Sequence, residues 1–303
     1  MTAEPAGAVL CPVDFTSLSR SSLALAIEMC RRTGARLVLE HNLDSRPPSY
    51  LSVGWMWSEE REAKERDKSD LAAERMKKLF EEIPSEIEYE AKITRGPVEK
   101  SLLYLAANLP AQLMVMGTHG PSNAKHRSVT ERIILQAPCP VLTTGESYDP
   151  RSRFGLAAGP AAEELAIVVP YDFSERSRAC WRFATALAER MPHRIDLLHA
   201  VRPRVSVQGE PEGLFEVDEA RARLAALVPE WLRERTTVHA VPGEPAEVIL
   251  RHVRDAGTLF VLMAAHGKSP FKRFLFGTTT LEVLHGSDCP VWFVPPAVCQ
   301  NAP

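Results

Sequence analysis

The sequence contains no CxxC pair, no HxH or HxxxH pair and no apolar run approaching the length of a membrane span. Each absence removes a class of function. Cys11, Cys30, Cys139, Cys180, Cys289 and Cys299 are scattered, mostly in apolar stretches, where a free thiol behaves as a small hydrophobe. That pattern suits a reducing cytoplasm and not a disulfide framework, which shows denser, regular spacing. Excess charge of either sign is also missing: 36 Lys+Arg stand against 39 Asp+Glu, a net charge of −3. A broad nucleic-acid surface needs a positive excess to displace counterions, and a membrane anchor needs a polybasic cluster. The opening residues 1–10 lack a basic segment followed by an apolar one, so they do not read as a signal peptide. The expectations are a cytoplasmic protein, no nucleic-acid partner and no membrane partner.

What is present is a duplication. A length of 303 residues suits two domains of ~150 residues each. The segment AVLCPVDFTS from Ala8 matches AIVVPYDFSE from Ala166, and LVLEHNL from Leu37 matches IDLLHAV from Ile195. Asp14 thereby pairs with Asp172 and His41 with His199, at one offset. RGPVEKSLLYLA from Arg95 then matches PGEPAEVILRHV from Pro242, and LMVMGTHG from Leu113 matches FVLMAAHG from Phe260. Cys139 opens CPVLTT as Cys289 opens CPVWFV. Five matched blocks in one order define two repeats. The first has extra residues after its second strand and a shorter loop after its fourth. The boundaries read 1–146 for the first domain, 147–161 for the linker and 162–297 for the second domain.

Within each repeat, short apolar runs alternate with helical stretches. In the first, strands are expected over 8–13, 36–41, 87–93, 113–116 and 141–144. In 17–32, Leu23, Ala26, Ile27 and Cys30 recur at helical spacing. Thr16 and Ser174 stand where N-caps belong, and Pro97 and Pro245 fall near a helix start, where a missing N–H is harmless. The alternation predicts a doubly wound, Rossmann-like α/β fold in each repeat, with a five-stranded parallel sheet. The charged stretch 57–80 reads as an exposed helix carrying Leu71, Met76 and Leu79. The segment 146–160 is rich in Gly, Pro, Ser and Arg, and 297–303 is expected to fray.

Ligands of open parallel sheets bind beyond the carboxyl ends of the strands. At that edge of the second repeat stand Asp172 after the first strand, His199 in the second, and Met263-Ala264-Ala265-His266-Gly267 closing the fourth. Gly277-Thr278-Thr279-Thr280 then opens a helix. Glycines admit a phosphate to the backbone, and the helix start supplies unpaired N–H groups and a positive dipole. Lys268, Lys272 and Arg273 lie in the intervening loop. The bland alternative is that these glycines satisfy turns and the threonines cap a helix. The histidines, without close partners in sequence, read as structural or ligand-contacting groups, with no metal site.

The PxD-F-[ST] opening, the G-x2-G-x9-G-[ST] turn and the closing C-P-V strand resemble the universal stress protein family, twice over. The resemblance covers nearly the whole chain apart from the linker, the charged insertion and the tail. It implies an adenine nucleotide alpha hydrolase-like fold and a stress-response role. It further implies ATP, with Mg in company, held in the second repeat by Pro170, Tyr171, Asp172, Ala200, Met263, Ala264, Gly267, Gly277, Thr278, Thr279 and Thr280. Ala264 departs from the motif's first glycine, and Tyr171 is bulkier than usual. The first repeat carries a degenerate version: Asp14, Gly117, Gly120, Arg127 and Ser128, with Arg127 where Gly277 sits in the second. Catalysis is not expected beyond slow ATP hydrolysis or autophosphorylation, since no nucleophile–base spacing stands out. An SGGxDS loop or HxGH signature, which adenylyltransferase-type enzymes carry, is absent. The alternative is a stress protein that binds no nucleotide and acts through ligand or partner surfaces. An internal pseudo-dimer through 141–144 and 291–294 is expected, and a homodimer through the cluster of Leu51, Trp55 and Trp57.

Overall fold

Strand β1 (Ala8–Pro12) is buried along its first four residues and runs into the turn that starts α1 (Ser17–Thr33). The Thr16 side chain accepts from Ser19 N at the helix start, and Gly34, at φ 69°, ends it with its N–H on the Cys30 carbonyl. Both devices satisfy backbone groups that a helix leaves open at its ends. The computed structural model describes residues 7–43, 59–118, 128–145, 148, 165–202, 213–265 and 277–301. The chain divides into two units, Met1–Ile133 and Ile134–Pro303.

The first unit continues with β2 (Arg36–Leu43), α2 (Glu59–Phe80), β3 (Tyr89–Arg95), α3 (Val98–Asn108) and β4 (Ala111–Gly117). Its strands are parallel in the order β3-β2-β1-β4. Leu10, Leu37, Leu39, Leu102 and Met114 are among its fully buried side chains. Helix α4 (Val129–Gln136) spans the division between the units.

The second unit holds β5 (Val141–Thr144), β6 (Ala166–Pro170), α5 (Glu175–Ala188), β7 (Arg194–Val201), α6 (Gly213–Ala225), β8 (Thr236–Pro242), α7 (Pro245–Asp255), β9 (Thr258–Ala264), α8 (Thr278–Gly286), β10 (Val291–Val294) and α9 (Pro296–Asn301). Five strands run parallel in the order β10-β9-β6-β7-β8. Strand β5, which belongs by sequence to the first repeat, pairs antiparallel with β10, Leu142 opposite Trp292. Phe260 and Phe293 fill the core of this unit, and Trp292 packs on Phe260 with ring centroids 5.2 Å apart.

Three expectations need correction. Helix α2 is not exposed all round: Ala72, Met76 and Leu79 are buried while Leu71 is not, because their spacing puts one stripe against β2 and β3. The third strand is displaced to Tyr89–Arg95 and alternates in exposure as an edge strand does. The last residues do not simply fray: α9 packs on α5. Most of the linker, and Leu51, Trp55 and Trp57, lie outside the described residues.

Candidate functional site

Both repeats build the same turn after the first strand. Asp172 Oδ1 accepts from Ser174 N at 3.0 Å, and Ser174 Oγ accepts from Ser177 N at 3.2 Å to cap α5. Asp14 and Thr16 do the same ahead of α1. Between aspartate and cap sits a phenylalanine in the left-handed region, Phe15 at φ 63° and Phe173 at φ 60°. Among the described residues these are the non-glycine positive-φ positions. A bulky residue held there stores on the order of 1–3 kcal/mol of strain. The strain is offset by stacking. Phe173 packs edge-on against His199 and Tyr171, with ring centroids 4.9 and 5.2 Å away, and the Arg223 guanidinium lies 4.1 Å from its centroid. In the first unit Phe15 lies against His41 with Arg75 over it. His199 Nδ1 donates to the Tyr171 carbonyl at 2.6 Å, and His41 Nδ1 to the Val13 carbonyl at 2.7 Å. The histidines therefore tie the first strand's turn to the second strand.

At the carboxyl end of the second unit's sheet this turn walls a cavity of about 720 Å³. Pro170, Tyr171, Asp172, Ala200, Met263, Ala264, Gly277, Thr278, Thr279 and Thr280 all line it. Gly267 and the basic residues of its loop lie outside the described residues. Leu198, Ile249 and Met263 supply apolar surface, and Arg202, Arg223, Glu216 and Glu219 bring charge. The start of α8 faces the cavity with Gly277 as N-cap, no side chain capping it and no acid in its first turn. Gly277 has φ −69°, which any residue adopts; glycine contributes there the absence of a side chain. Ala264 is no obstacle, since it ends β9 without a positive φ. Tyr171 is 3% exposed and forms part of the wall. Burial raises its phenol above the ordinary value, against a lowering contribution from Arg178.

The counterpart in the first unit is a hollow of about 290 Å³ lined by Asp14, Phe15, His41, Asn42, Lys68 and Arg75 among others. Gly117 lies outside that lining. A Cβ at Gly117 would stand 2.6 Å from Leu18 Cγ, so this glycine serves close packing of α1 on β4. Gly120 and Arg127 lie outside the described residues. Ser128 caps α4, its Oγ accepting from Glu131 N at 3.1 Å, and Glu131 stands in the helix's first turn. Thr130 Oγ1 donates to the Gly117 carbonyl at 2.8 Å. A helix start already holding its own cap and carboxylate is a poor anion site. On the second strand, the second repeat's Leu198 and Ala200 are replaced by Glu40 and Asn42. Burial pushes the Glu40 carboxyl up to about 7, against hydrogen bonds from Thr94 and Asn42 that lower it.

Sequence reasoning did not single out Phe173, Arg223, Glu216 or Glu219. Phe173 lies inside the repeated motif, and its conservation between repeats (Phe15, Phe173) was the available signal. The α6 residues carry none, because their approach to the cavity depends on how that helix packs. The S-x-x-E pattern of Ser128 and Glu131 was legible as a capping box.

Comparison with known proteins agrees with this architecture. The universal stress protein family is matched over residues 6–144 and again over 166–295. A curated relative, universal stress protein YxiE of Bacillus subtilis, is 26% identical over 143 residues, which cover 42% of this chain and 97% of the relative. A universal stress protein from Archaeoglobus fulgidus superposes with a TM-score of 0.66 at 17% identity, covering 96% of each chain. A functionally unknown protein from Pseudomonas aeruginosa PAO1 superposes at 0.56 and 14% identity, covering 98% of this chain and 95% of its own. At such identities the structures speak for the fold alone, whereas the family match takes in most of the sequence. With that match found twice, in the order of the two repeats, the chain belongs to the universal stress protein family as a tandem member.

Proposed function

We propose that this chain is a stress-response regulatory protein that binds one adenine nucleotide, ATP, in the cavity of its second unit. The observation that carries the reading is the convergence on one cavity of an apolar floor, the Asp172 turn and the uncapped start of α8. Its volume falls within the ~300–1,000 Å³ usual for small-molecule sites. Leu198, Ile249 and Met263 suit the adenine. The N–H groups of Thr278–Thr280, their hydroxyls and the helix dipole suit phosphate oxygens. The self-capped α4 supports a single site per chain.

A second reading rests on Glu216 and Glu219, which line the cavity and oppose a polyphosphate. In it the protein takes a different ligand, or none, and works through partner surfaces. Calorimetry of the full chain with ATP distinguishes the two. One site is expected, lost in Gly277→Arg, which sets a long side chain where phosphate meets the helix start, and retained in Arg127→Gly. Two equivalent sites, or binding indifferent to Gly277→Arg, would overturn the proposal. Absence of binding would favour the second reading.

A further inference from the structure

On the sheet face covered by α7, three metal-ligating side chains that are not among the cavity's lining residues meet. Asp196 lies on β7, His239 on β8 and His252 on α7. The register pairs Asp196 with Thr237 and Leu198 with His239. Since side chains two apart share a face of a sheet, Asp196 and His239 project to one side, where α7 packs. His252 Nε2 is 2.9 Å from Asp196 Oδ2, and His239 Nε2 is 3.6 Å from Asp196 Oδ1. The three ligand atoms all lie within 4.8 Å of one another. Among the described residues this is the one such group.

Two further observations raise it above a hydrogen-bonded cluster. His239 Nε2 is shut off from solvent yet has no hydrogen-bond partner, a costly state for a ring nitrogen. Its 3.6 Å separation from the carboxylate is too long for a hydrogen bond. The repeats also differ at all three places: the first repeat has Val38, Lys92 and Leu105 where the second has Asp196, His239 and His252. The ligand set therefore belongs to the second repeat alone.

We propose that Asp196, His239 and His252 bind a borderline divalent cation, Zn²⁺ in the first instance. Two imidazoles and a carboxylate are a ligand set that zinc accepts, with ligand bonds of ~2.0–2.2 Å and a fourth position left open. Bonds of that length in a tetrahedron place neighbouring ligand atoms about 3.3–3.6 Å apart; the His239–Asp196 separation of 3.6 Å already meets this, and the His252–Asp196 separation of 2.9 Å has to open by less than 1 Å. Each imidazole turns an Nε2 lone pair to the ion and keeps its ring proton on Nδ1. The ion displaces the proton that His252 shares with Asp196, and it weakens the Arg194 contact, which stands at 3.8 Å on a half-exposed side chain. Bound there, the ion joins β7, β8 and α7, the last of which also lines the cavity through Pro245 and Ile249. The site needs no nucleotide, so it stands whether or not ATP binds.

The test uses the full chain, stripped with a chelator and titrated with Zn²⁺ by calorimetry and with Co²⁺ by visible absorption. One tight equivalent is expected, with intense tetrahedral-type cobalt bands and a chelator-reversible rise in Tm. His239→Lys, which copies the first repeat at a part-exposed position, should remove the equivalent and the Tm response while leaving the circular dichroism unchanged. Asp196→Asn should do the same. No tight equivalent, or one that survives His239→Lys as binding to other histidines would, overturns the proposal.

Discussion

Glu40 shows how a single residue sets a pH dependence. Its side chain is 1% exposed in β2, and burial holds its carboxyl near 7 in place of 4.5. Between those values the folded chain keeps a proton that the unfolded chain has released, so stability falls as pH rises through this window. The contribution is fully present below 4.5 and gone above about 7, a loss on the order of 3 kcal/mol. Glu40→Gln keeps the partners Thr94 and Asn42 but has no proton to lose. It is expected to be more stable than the parent at pH 8, with the difference closing toward pH 4.5. Denaturant midpoints of both proteins at the two pH values check this, and a variant no more stable at pH 8 would refute it.

At the scale of an element, the two repeats start one pair of corresponding helices alike and another in opposite ways. Helices α1 and α5 are both capped by a hydroxyl next to the strained phenylalanine. Ser174→Ala removes the acceptor for Ser177 N and is expected to cost about 1 kcal/mol in urea unfolding. Helices α4 and α8 diverge instead. Ser128 and Glu131 close the first, while Gly277 leaves the second open toward the cavity. That difference was half legible. The sequence displayed Arg127 against Gly277 and the S-x-x-E pattern, but not that Ser128 Oγ takes up the Glu131 N–H at the helix start.

For the whole molecule, the cysteines give a simple readout of packing. Cys11, Cys30, Cys139, Cys180 and Cys289 are buried, and Cys299 is partly exposed. Burial pushes the Cys30 and Cys139 thiols up to about 12 and raises Cys11 and Cys180 well above the ordinary thiol value. The thiolate is the reactive species, so alkylation of the native chain at pH 8 is expected to label Cys299 first. The other five should be labelled only on unfolding. Mass spectrometry after timed alkylation checks the order, and early labelling of Cys11 or Cys180 would contradict this packing.

The sequence by itself determined the duplication, the strand–helix alternation, the caps at Thr16 and Ser174, and the strand ends and helix start that meet at the cavity of the second repeat. These rest on local chemistry: apolar periodicity, hydroxyls ahead of helices, and glycines where a chain must approach a ligand. Tertiary structure alone decided the rest. It buried one stripe of α2, set Phe15 and Phe173 at positive φ between histidine and arginine, and brought α6 to the cavity wall. It also gathered Asp196 and His252, 56 residues apart, with His239 on one face of the sheet. Such groupings follow from strand register and helix packing, which join residues distant in sequence and leave no mark in the spacing along the chain.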